Sequence, residues 1–142
     1  MSNNNDVWEK IRMECQAQTA FCETHEDTVK TLVMRQRNTQ TAIRNGTPFN
    51  AVNQPTVLAE HFRNNILAAH AELSEALDWV SWKPWKAVEP LSANAKQNAK
   101  LELVDTLCFL LNAWNLLGGN PEELSGMHRA KCEENIRRQK GL

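Results

Sequence analysis

The chain has 142 residues, and its 16 Lys and Arg side chains nearly balance its 17 Asp and Glu side chains, for a formal net charge of −1. This length suits one domain with its own core, so we expect a single domain over residues 1–142. Mixed charges remove the electrostatic argument for nucleic acid or a membrane surface as a partner. No apolar run reaches transmembrane length, and no charged-then-apolar segment resembles a signal peptide.

Cysteine usage indicates a reducing environment. The chain has Cys15, Cys22, Cys108 and Cys132 without any CxxC spacing, and Cys108 falls in an apolar stretch, where free cysteine is common. We therefore expect a cytoplasmic protein. A zinc site that used Cys22 and His25 would need further ligands, which the sequence does not offer at paired spacing.

Apolar residues recur at intervals of three and four along the chain, which predicts helices, and no stretch alternates as a strand would. After a polar start at residues 2–6, this period runs from Val7 to Cys22. A second helical segment is predicted over residues 28–44, either as a new helix or as a continuation of the first. The turn sequence Asn-Gly-Thr-Pro at residues 45–48 ends it.

The next helix is predicted to begin at Pro55 and to run to about Trp82, since Pro84 cannot continue it. A loop over residues 89–95 follows, in which Ser92 is a candidate cap for the helix after it. The residues of the Pro55 helix that we expect in the core are Val57, Leu58, Phe62, Ile66, Leu67, Leu73, Ala76, Leu77 and Val80.

The hydrophobic pattern is strongest over residues 100–117, which read KLELVDTLCFLLNAWNLL. This stretch is apolar almost all the way round, which predicts a helix buried on most sides. Glu102, Asp105, Phe109 and Asn112 break or border the pattern, and at about 100° per residue they share a sector about 80° wide. Because charge is costly to bury unless it is paired or bound to metal, this polar stripe is a candidate site.

Two glycines, Gly118 and Gly119, close that helix, and Asn120, Pro121 and Glu123 are the expected cap, first residue and capping box of the last helix. The last helix is predicted to end at residue 141. Its expected core residues are Leu124, Met127, Cys132 and Ile136. Together these segments predict an all-α fold, a bundle of four or five helices.

Two of the predicted helices each carry two acids three residues apart, Glu72 with Glu75 and Glu102 with Asp105. Such pairs lie on one helix face, and on facing helices four carboxylates can converge around divalent metals. Ligands that are all oxygen favour Mg²⁺ or Mn²⁺ over zinc. A solvated face is the simpler interpretation of Glu72 and Glu75 alone, whereas the apolar flanks of Glu102 and Asp105 argue against it for the second pair.

Basic residues follow the first acidic pair and line the last helix. Lys83 and Lys86 belong to the first group, and Lys131, Asn135 and Arg138 share one face of the last helix. Lysine and arginine beside a divalent metal suit a polyphosphate ester. The bases could instead form buried ion pairs with the acids, or a solvated amphipathic face. The nearby tryptophans can stack on a nucleobase or cover a pocket, although Trp is also common in cores and interfaces.

Five pieces of sequence, in order, resemble the all-α nucleoside triphosphate pyrophosphohydrolases, a superfamily that includes MazG-like enzymes and dimeric dUTPases. The closest resemblance is to the phage dCTPase-dUTPase branch, and it covers residues 69–141, about half of the chain. Gln36 and Gln40 correspond more loosely to glutamines of the family's first helix. The pieces are ExxE at residues 72–75, WKPWK at 82–86, ELVD at 102–105 with Phe109 and Asn112, GxNxEEL at 118–124 and KxxxNxxRQ at 131–139.

This resemblance implies hydrolysis of a dNTP between the α and β phosphates, which releases a dNMP and diphosphate, with dUTP or dCTP as the expected substrate. Glu72, Glu75, Glu102 and Asp105 would hold two or three Mg²⁺ ions, with Mn²⁺ as a substitute, and Glu72 or Glu75 would position or deprotonate the attacking water. The residues that would bind the substrate are Trp82, Lys83, Lys86, Asn112, Lys131, Asn135 and Arg138.

Two departures from the family pattern fall where relatives shape the nucleotide pocket. Cys108 stands where the dUTPase branch often has histidine, and the chain lacks tyrosine and ends in Gly-Leu where relatives often end in Gly-Tyr. A purine dNTP such as dGTP or dATP, or another phosphorylated compound, is therefore an alternative substrate. A non-catalytic helical interaction module is an alternative function. The resemblance also implies a homodimer or a higher homo-oligomer, in a host cytoplasm if the gene is phage-encoded.

Overall fold

The computed structural model describes residues 28–43 and 55–142, together with the single positions 9, 10 and 13. Within the two described ranges every regular element is a helix, which confirms the all-α prediction. The helix predicted over residues 7–22 lies almost wholly outside the described residues. The elements are α1 (Thr28–Ile43), α2 (Pro55–Asp78), α3 (Ala93–Leu116) and α4 (Pro121–Gln139).

Helix α3 is the centre of the described fold, because it packs along α2 and also contacts α1, while α4 packs against α1. The core lies where these helices meet. Val33 of α1 is fully buried, and Ala69 of α2 and Ala113 of α3 are each 4% exposed. Small residues at such positions allow helix backbones to approach closely. The close pairing of α2 with α3 positions the acidic residues of both helices.

Side-chain caps define where the last two helices begin. Ser92 Oγ accepts a hydrogen bond from the Ala95 N–H at 3.0 Å, which confirms Ser92 as the cap of α3. Because Ser92 is the N-cap, the next residue, Ala93, is already helical, and α3 begins inside the segment 89–95 that was predicted as a loop. Asn120 Oδ1 accepts from the Glu123 N–H at 2.8 Å, and Pro121 follows as the first residue of α4.

A sharp corner separates α3 from α4, which meet at a bend of 113°. Gly118 has a φ of 76°, a left-handed conformation that favours glycine and takes the chain out of α3. No single helix in the described ranges is both long and apolar enough to cross a membrane. Only α3 and α4 taken together across their bend reach the length and composition of a span.

Helix α2 ends at Asp78, four residues before the predicted end near Trp82. Its end is closed by hydrogen bonds of the shorter i→i+3 type, from the Trp79 N–H to Ala76 O at 3.4 Å and from the Val80 N–H to Leu77 O at 3.1 Å. Proline disfavours helical geometry in the residue before it, so Pro84 prevents the helix from passing Lys83 but does not explain the earlier end at Asp78.

The prediction that α3 is buried on most sides is wrong for the single chain. Its residues Leu103, Val104, Leu107 and Leu110 are between 40% and 54% exposed. Apolar spacing shows which residues share a face, but it does not show whether another element of the same chain covers that face. The same correction applies to predicted core residues of α2 and α4 that are exposed, namely Leu67, Leu73, Leu77, Met127, Cys132 and Ile136.

Candidate active site

Three acids from two helices converge at the surface of the α2–α3 pair. Glu72 of α2 and Glu102 and Asp105 of α3 each present a carboxylate oxygen, and the three oxygens lie within 4.8 Å of one another. Glu72 and Glu102 are half-buried, whereas Asp105 is exposed. We call this group the acidic cluster. It offers oxygen ligands with one side open to solvent, an arrangement that suits a hard divalent cation and a ligand bound to it.

The electrostatics of the acidic cluster also fit a cation. Partial burial, followed by the negative charges of Glu75, Asp105 and Glu102, raises the pKa of the Glu72 carboxyl above its ordinary value. A hydrogen bond between the Glu72 and Glu102 side chains acts in the same direction. Carboxylates that repel one another in the free protein bind a shared cation favourably, since the cation relieves that repulsion. The residues present therefore fit a divalent metal ion.

Glu75, the fourth predicted acid, lies at the edge of the acidic cluster. It is exposed and is not one of the three acids whose oxygens lie within 4.8 Å. Its charge still acts on Glu72, which lies one turn earlier on the same face of α2. The structure thus brings three of the four predicted acids into mutual contact distance and leaves the fourth beside them with its oxygens accessible.

The tryptophan-lysine segment that follows α2 borders the acidic cluster. Trp79 Nε1 donates a hydrogen bond to Glu102 Oε1 at 3.4 Å, a link that the sequence analysis did not identify. Farther along the same segment, Trp82, Lys83 and Lys86 help to line a cleft of about 450 Å³. Lys83 Nζ lies 5.6 Å from the centroid of the Trp82 ring, within the range of a cation–π contact. Two lysines and one tryptophan that were predicted to bind the substrate therefore line one cleft.

Asn112 lies deeper and joins three helices. It is 3% exposed, its Oδ1 accepts from Gln36 Nε2 of α1 at 2.8 Å, and its Nδ2 donates to Asn65 Oδ1 of α2 at 3.0 Å. The sequence pattern indicates Asn112 and, more loosely, Gln36 as site residues, but it does not indicate Asn65. The signal that could have found Asn65 is its position two turns before Glu72, on the same face of α2.

A second buried polar contact, which no sequence pattern indicates, links α1 to the end of α3. Arg37 Nη2 donates to Asn115 Oδ1 at 3.3 Å and to Gly119 O at 3.5 Å. Asn115 is fully buried, and its Nδ2 and the Arg37 Nε are buried without a hydrogen-bond partner. This contact holds α1 against the corner between α3 and α4, and it leaves two donors unused.

The predicted basic face of α4 is not joined to the acidic cluster by any hydrogen bond or ion pair in residues 28–43 and 55–142. Arg138 Nε lies 2.8 Å from Glu134 Oε1, and Arg137 forms a two-bond pair with the same carboxylate at 2.9 Å. Lys131 and Asn135 are exposed. The alternative of a buried ion pair between the acids and the predicted bases is therefore not observed in the described part of the chain.

Comparison with known protein families identifies the family to which this chain belongs. The family model described as dUTPase matches residues 28–141, a range that contains the whole acidic cluster. The chain belongs to the dUTPase family. No curated protein and no solved structure gives a significant match. The predicted resemblance to the superfamily of dimeric dUTPases and MazG-type enzymes is thereby confirmed.

As a member of the dUTPase family, the protein is a nucleoside triphosphate pyrophosphohydrolase, a hydrolase that acts on phosphoric anhydride bonds. The alternative of a non-catalytic helical module is thus not supported, and the predicted enzyme is confirmed. Enzymes of the dUTPase family typically depend on divalent metal, and the acidic cluster contains the oxygen ligands that such an ion requires.

Proposed function

We propose that this dUTPase-family protein hydrolyses a pyrimidine deoxynucleoside triphosphate, dUTP or dCTP, to the monophosphate and diphosphate with Mg²⁺ as its cofactor. The observation that carries the proposal is the acidic cluster, in which oxygens from two facing helices lie within 4.8 Å of one another. Mn²⁺ is expected to substitute, since it accepts similar oxygen ligands.

In this proposal Glu72, Glu102 and Asp105 hold the metal. Once bound, a divalent ion polarises a phosphate and lowers the pKa of a water molecule. Glu75 is the better candidate to accept the proton of the attacking water, because its carboxylate is exposed and lies outside the close group of three. Trp79 donates to Glu102 and so orients that carboxylate toward its neighbours.

The proposed phosphate contacts are Lys83 and Lys86, which line one cleft in the segment that follows α2. The two lysines of this open cleft match an anionic ligand, and they outnumber Glu89, the one acid among the described residues that line it. Trp82 lines the same cleft and offers an aromatic surface for a base. Asn112 remains a proposed contact for the sugar or base, although it is 3% exposed and already bonded to side chains of α1 and α2.

Lys131, Asn135 and Arg138 remain proposed contacts for the phosphates. Arg138 binds Glu134 through its Nε at 2.8 Å. A phosphate can accept N–H bonds from the Arg138 Nη groups or replace the carboxylate at Nε, since both anions accept from a guanidinium.

A purine triphosphate is the second candidate substrate, and Cys108 is the observation that favours it. Burial, followed by the charge of Asp105, raises the pKa of the Cys108 thiol above its ordinary value. A thiol is a weaker hydrogen-bond donor than the imidazole that the dUTPase branch often has at this position, so a different base preference is the second candidate.

A substrate screen tests the proposal directly. The protein is incubated with dUTP, dCTP, dTTP, dATP or dGTP in Mg²⁺ or Mn²⁺, and released diphosphate and monophosphate are quantified. We expect equal amounts of both products from dUTP or dCTP, and none after the metal is chelated. The control is Glu102→Gln, which should be inactive with an unchanged circular dichroism spectrum. Activity restricted to dATP or dGTP would support the purine alternative, and no diphosphate from any nucleotide would contradict both.

We also propose that a second copy of the chain covers the exposed side of α3. Leu103, Leu107 and Leu110 recur at four and three residues, so they form one stripe, which we call the leucine face. These side chains are 54%, 40% and 46% exposed in the single chain. Contiguous apolar stripes of this kind are uncommon on monomers, and a two-fold axis would pair the stripe with itself.

A further inference from the structure

A histidine and a cysteine, both residue types that can bind metals, lie one helical turn apart on α4 and outside the acidic cluster. Cys132 Sγ is 3.7 Å from His128 Nε2 and 3.9 Å from His128 Nδ1. Both residues are exposed, so a hydrated ion can reach them without any movement of the fold. Neither residue has a role in the proposed hydrolysis.

The separation of these atoms matches what one tetrahedral ion requires. Zinc binds thiolate sulfur at about 2.3 Å and imidazole nitrogen at about 2.0–2.1 Å, which places the two ligand atoms roughly 3.5 Å apart. The measured 3.7 Å between Cys132 Sγ and His128 Nε2 is within a few tenths of an ångström of this value. Because Sγ is almost equidistant from the two ring nitrogens, the imidazole must first rotate so that the Nε2 lone pair points to the shared ion, and the exposure of both side chains leaves room for this rotation.

We propose that His128 and Cys132 form a two-ligand site for a thiophilic divalent cation of the zinc class, completed by water molecules. On binding, the Cys132 thiol proton is released to solvent as the metal–sulfur bond forms, and neutral His128 donates a nitrogen lone pair. No electron is transferred. Sulfur and nitrogen ligands select against Mg²⁺, which prefers oxygen, so this site and the acidic cluster take different ions.

Cadmium titration tests the site, because a cadmium–thiolate bond absorbs in the ultraviolet. The full-length chain carries Cys15→Ser and Cys22→Ser, so that these thiols do not contribute, and excess Mg²⁺ is present. We expect one equivalent of Cd²⁺ to bind, with release of a proton, and Zn²⁺ to displace it. The variant Cys132→Ser should abolish the absorption, and His128→Ala should weaken binding roughly tenfold or more, a loss of about 1.4 kcal/mol.

Two comparisons make the outcome decisive. Cys108→Ser should leave the cadmium absorption unchanged, and the helicity of each variant is checked by circular dichroism. An absorption that survives Cys132→Ser, an affinity that is unchanged in His128→Ala, or the absence of binding to the background protein would overturn the proposal. The outcome is independent of hydrolysis, since it reads a bond to sulfur.

Discussion

Glu72 shows how the acidic cluster works at the level of single residues. Its carboxyl is partly buried among other acids, which raises its pKa and opposes its negative charge in the free protein. A site of this kind favours a bound cation and disfavours the empty state, a common compromise between stability and activity. Substitutions in the acidic cluster should therefore move stability and activity in opposite directions.

We expect Asp105→Asn to lower kcat by about 10²-fold or more, because one preorganised charge of the metal site is lost. The same change should raise the melting temperature of the metal-free protein, since it removes a negative charge beside Glu72. Turnover and thermal unfolding in a chelator measure the two effects. The control is Glu60→Gln, an exposed acid of α2 outside the acidic cluster, which should change neither. Full activity in Asp105→Asn would contradict the metal assignment.

Glu134 allows a prediction about pH. Hydrogen bonds from Arg137 and Arg138 lower the pKa of the Glu134 carboxyl below its ordinary value of 4.5. The charged form is therefore favoured in the folded state, so its stabilisation is complete above pH 4.5 and is lost as the pH falls through the lowered pKa. We expect Glu134→Gln to melt below the wild type at neutral pH, with a difference that shrinks in acid. The neighbouring exposed Glu133→Gln is the control, and a difference independent of pH would contradict the ion-pair explanation.

At the scale of elements, the corner between α3 and α4 depends on one close approach. A methyl group at Gly119 would overlap the Trp114 indole, whose Nε1 donates to Asn120 O at 3.2 Å. We expect Gly119→Ala to lower the free energy of unfolding by about 1–3 kcal/mol, measured by urea denaturation. Gly126→Ala within α4 is the matched control, because its new methyl meets open space and should stabilise by about 0.5–1 kcal/mol. Effects of the same sign would contradict this account of the corner.

The contact between α1 and the end of α3 gives a second prediction at this scale. Asn115→Ala removes the acceptor of the buried Arg37, which should cost about 1–3 kcal/mol. Asn115→Asp should cost less, because its second oxygen can accept from the Arg37 Nε that has no partner. Urea denaturation measures both, with the exposed Asn94→Ala expected near zero. A larger loss for the aspartate than for the alanine would show that burial of the charge dominates.

At the scale of the whole molecule, the leucine face is exposed in the single chain and is the proposed contact with a second copy. If a second copy covers this face, Leu107→Glu places a charge in the middle of that interface, and we expect the protein to dissociate to single chains. Light scattering after gel filtration measures the mass, and Asn94→Glu, at an exposed position of the same helix outside the face, should leave it unchanged. A wild-type protein that already has the mass of one chain would contradict the proposal.

Much of the secondary structure followed from local chemistry. Ser92 and Asn120 act as the predicted caps, and the glycines after α3 end it as expected, because capping depends only on neighbouring residues. The sequence also predicted that acids three residues apart lie on one helix face, since helical spacing places them there. The polar contacts of Asn65 and Arg37 were not readable, because each depends on which helix lies opposite.

The sequence by itself determined that this chain is helical, where its last two helices begin, and which acids share a face, since these properties depend on a few neighbouring residues. Only the tertiary structure decided that Glu72 meets Glu102 and Asp105, that Asn112 joins three helices, and that the leucine face is exposed in the single chain. The reason is physical. Contacts between helices depend on how distant segments pack, and the period of a pattern carries no information about the partner across the interface.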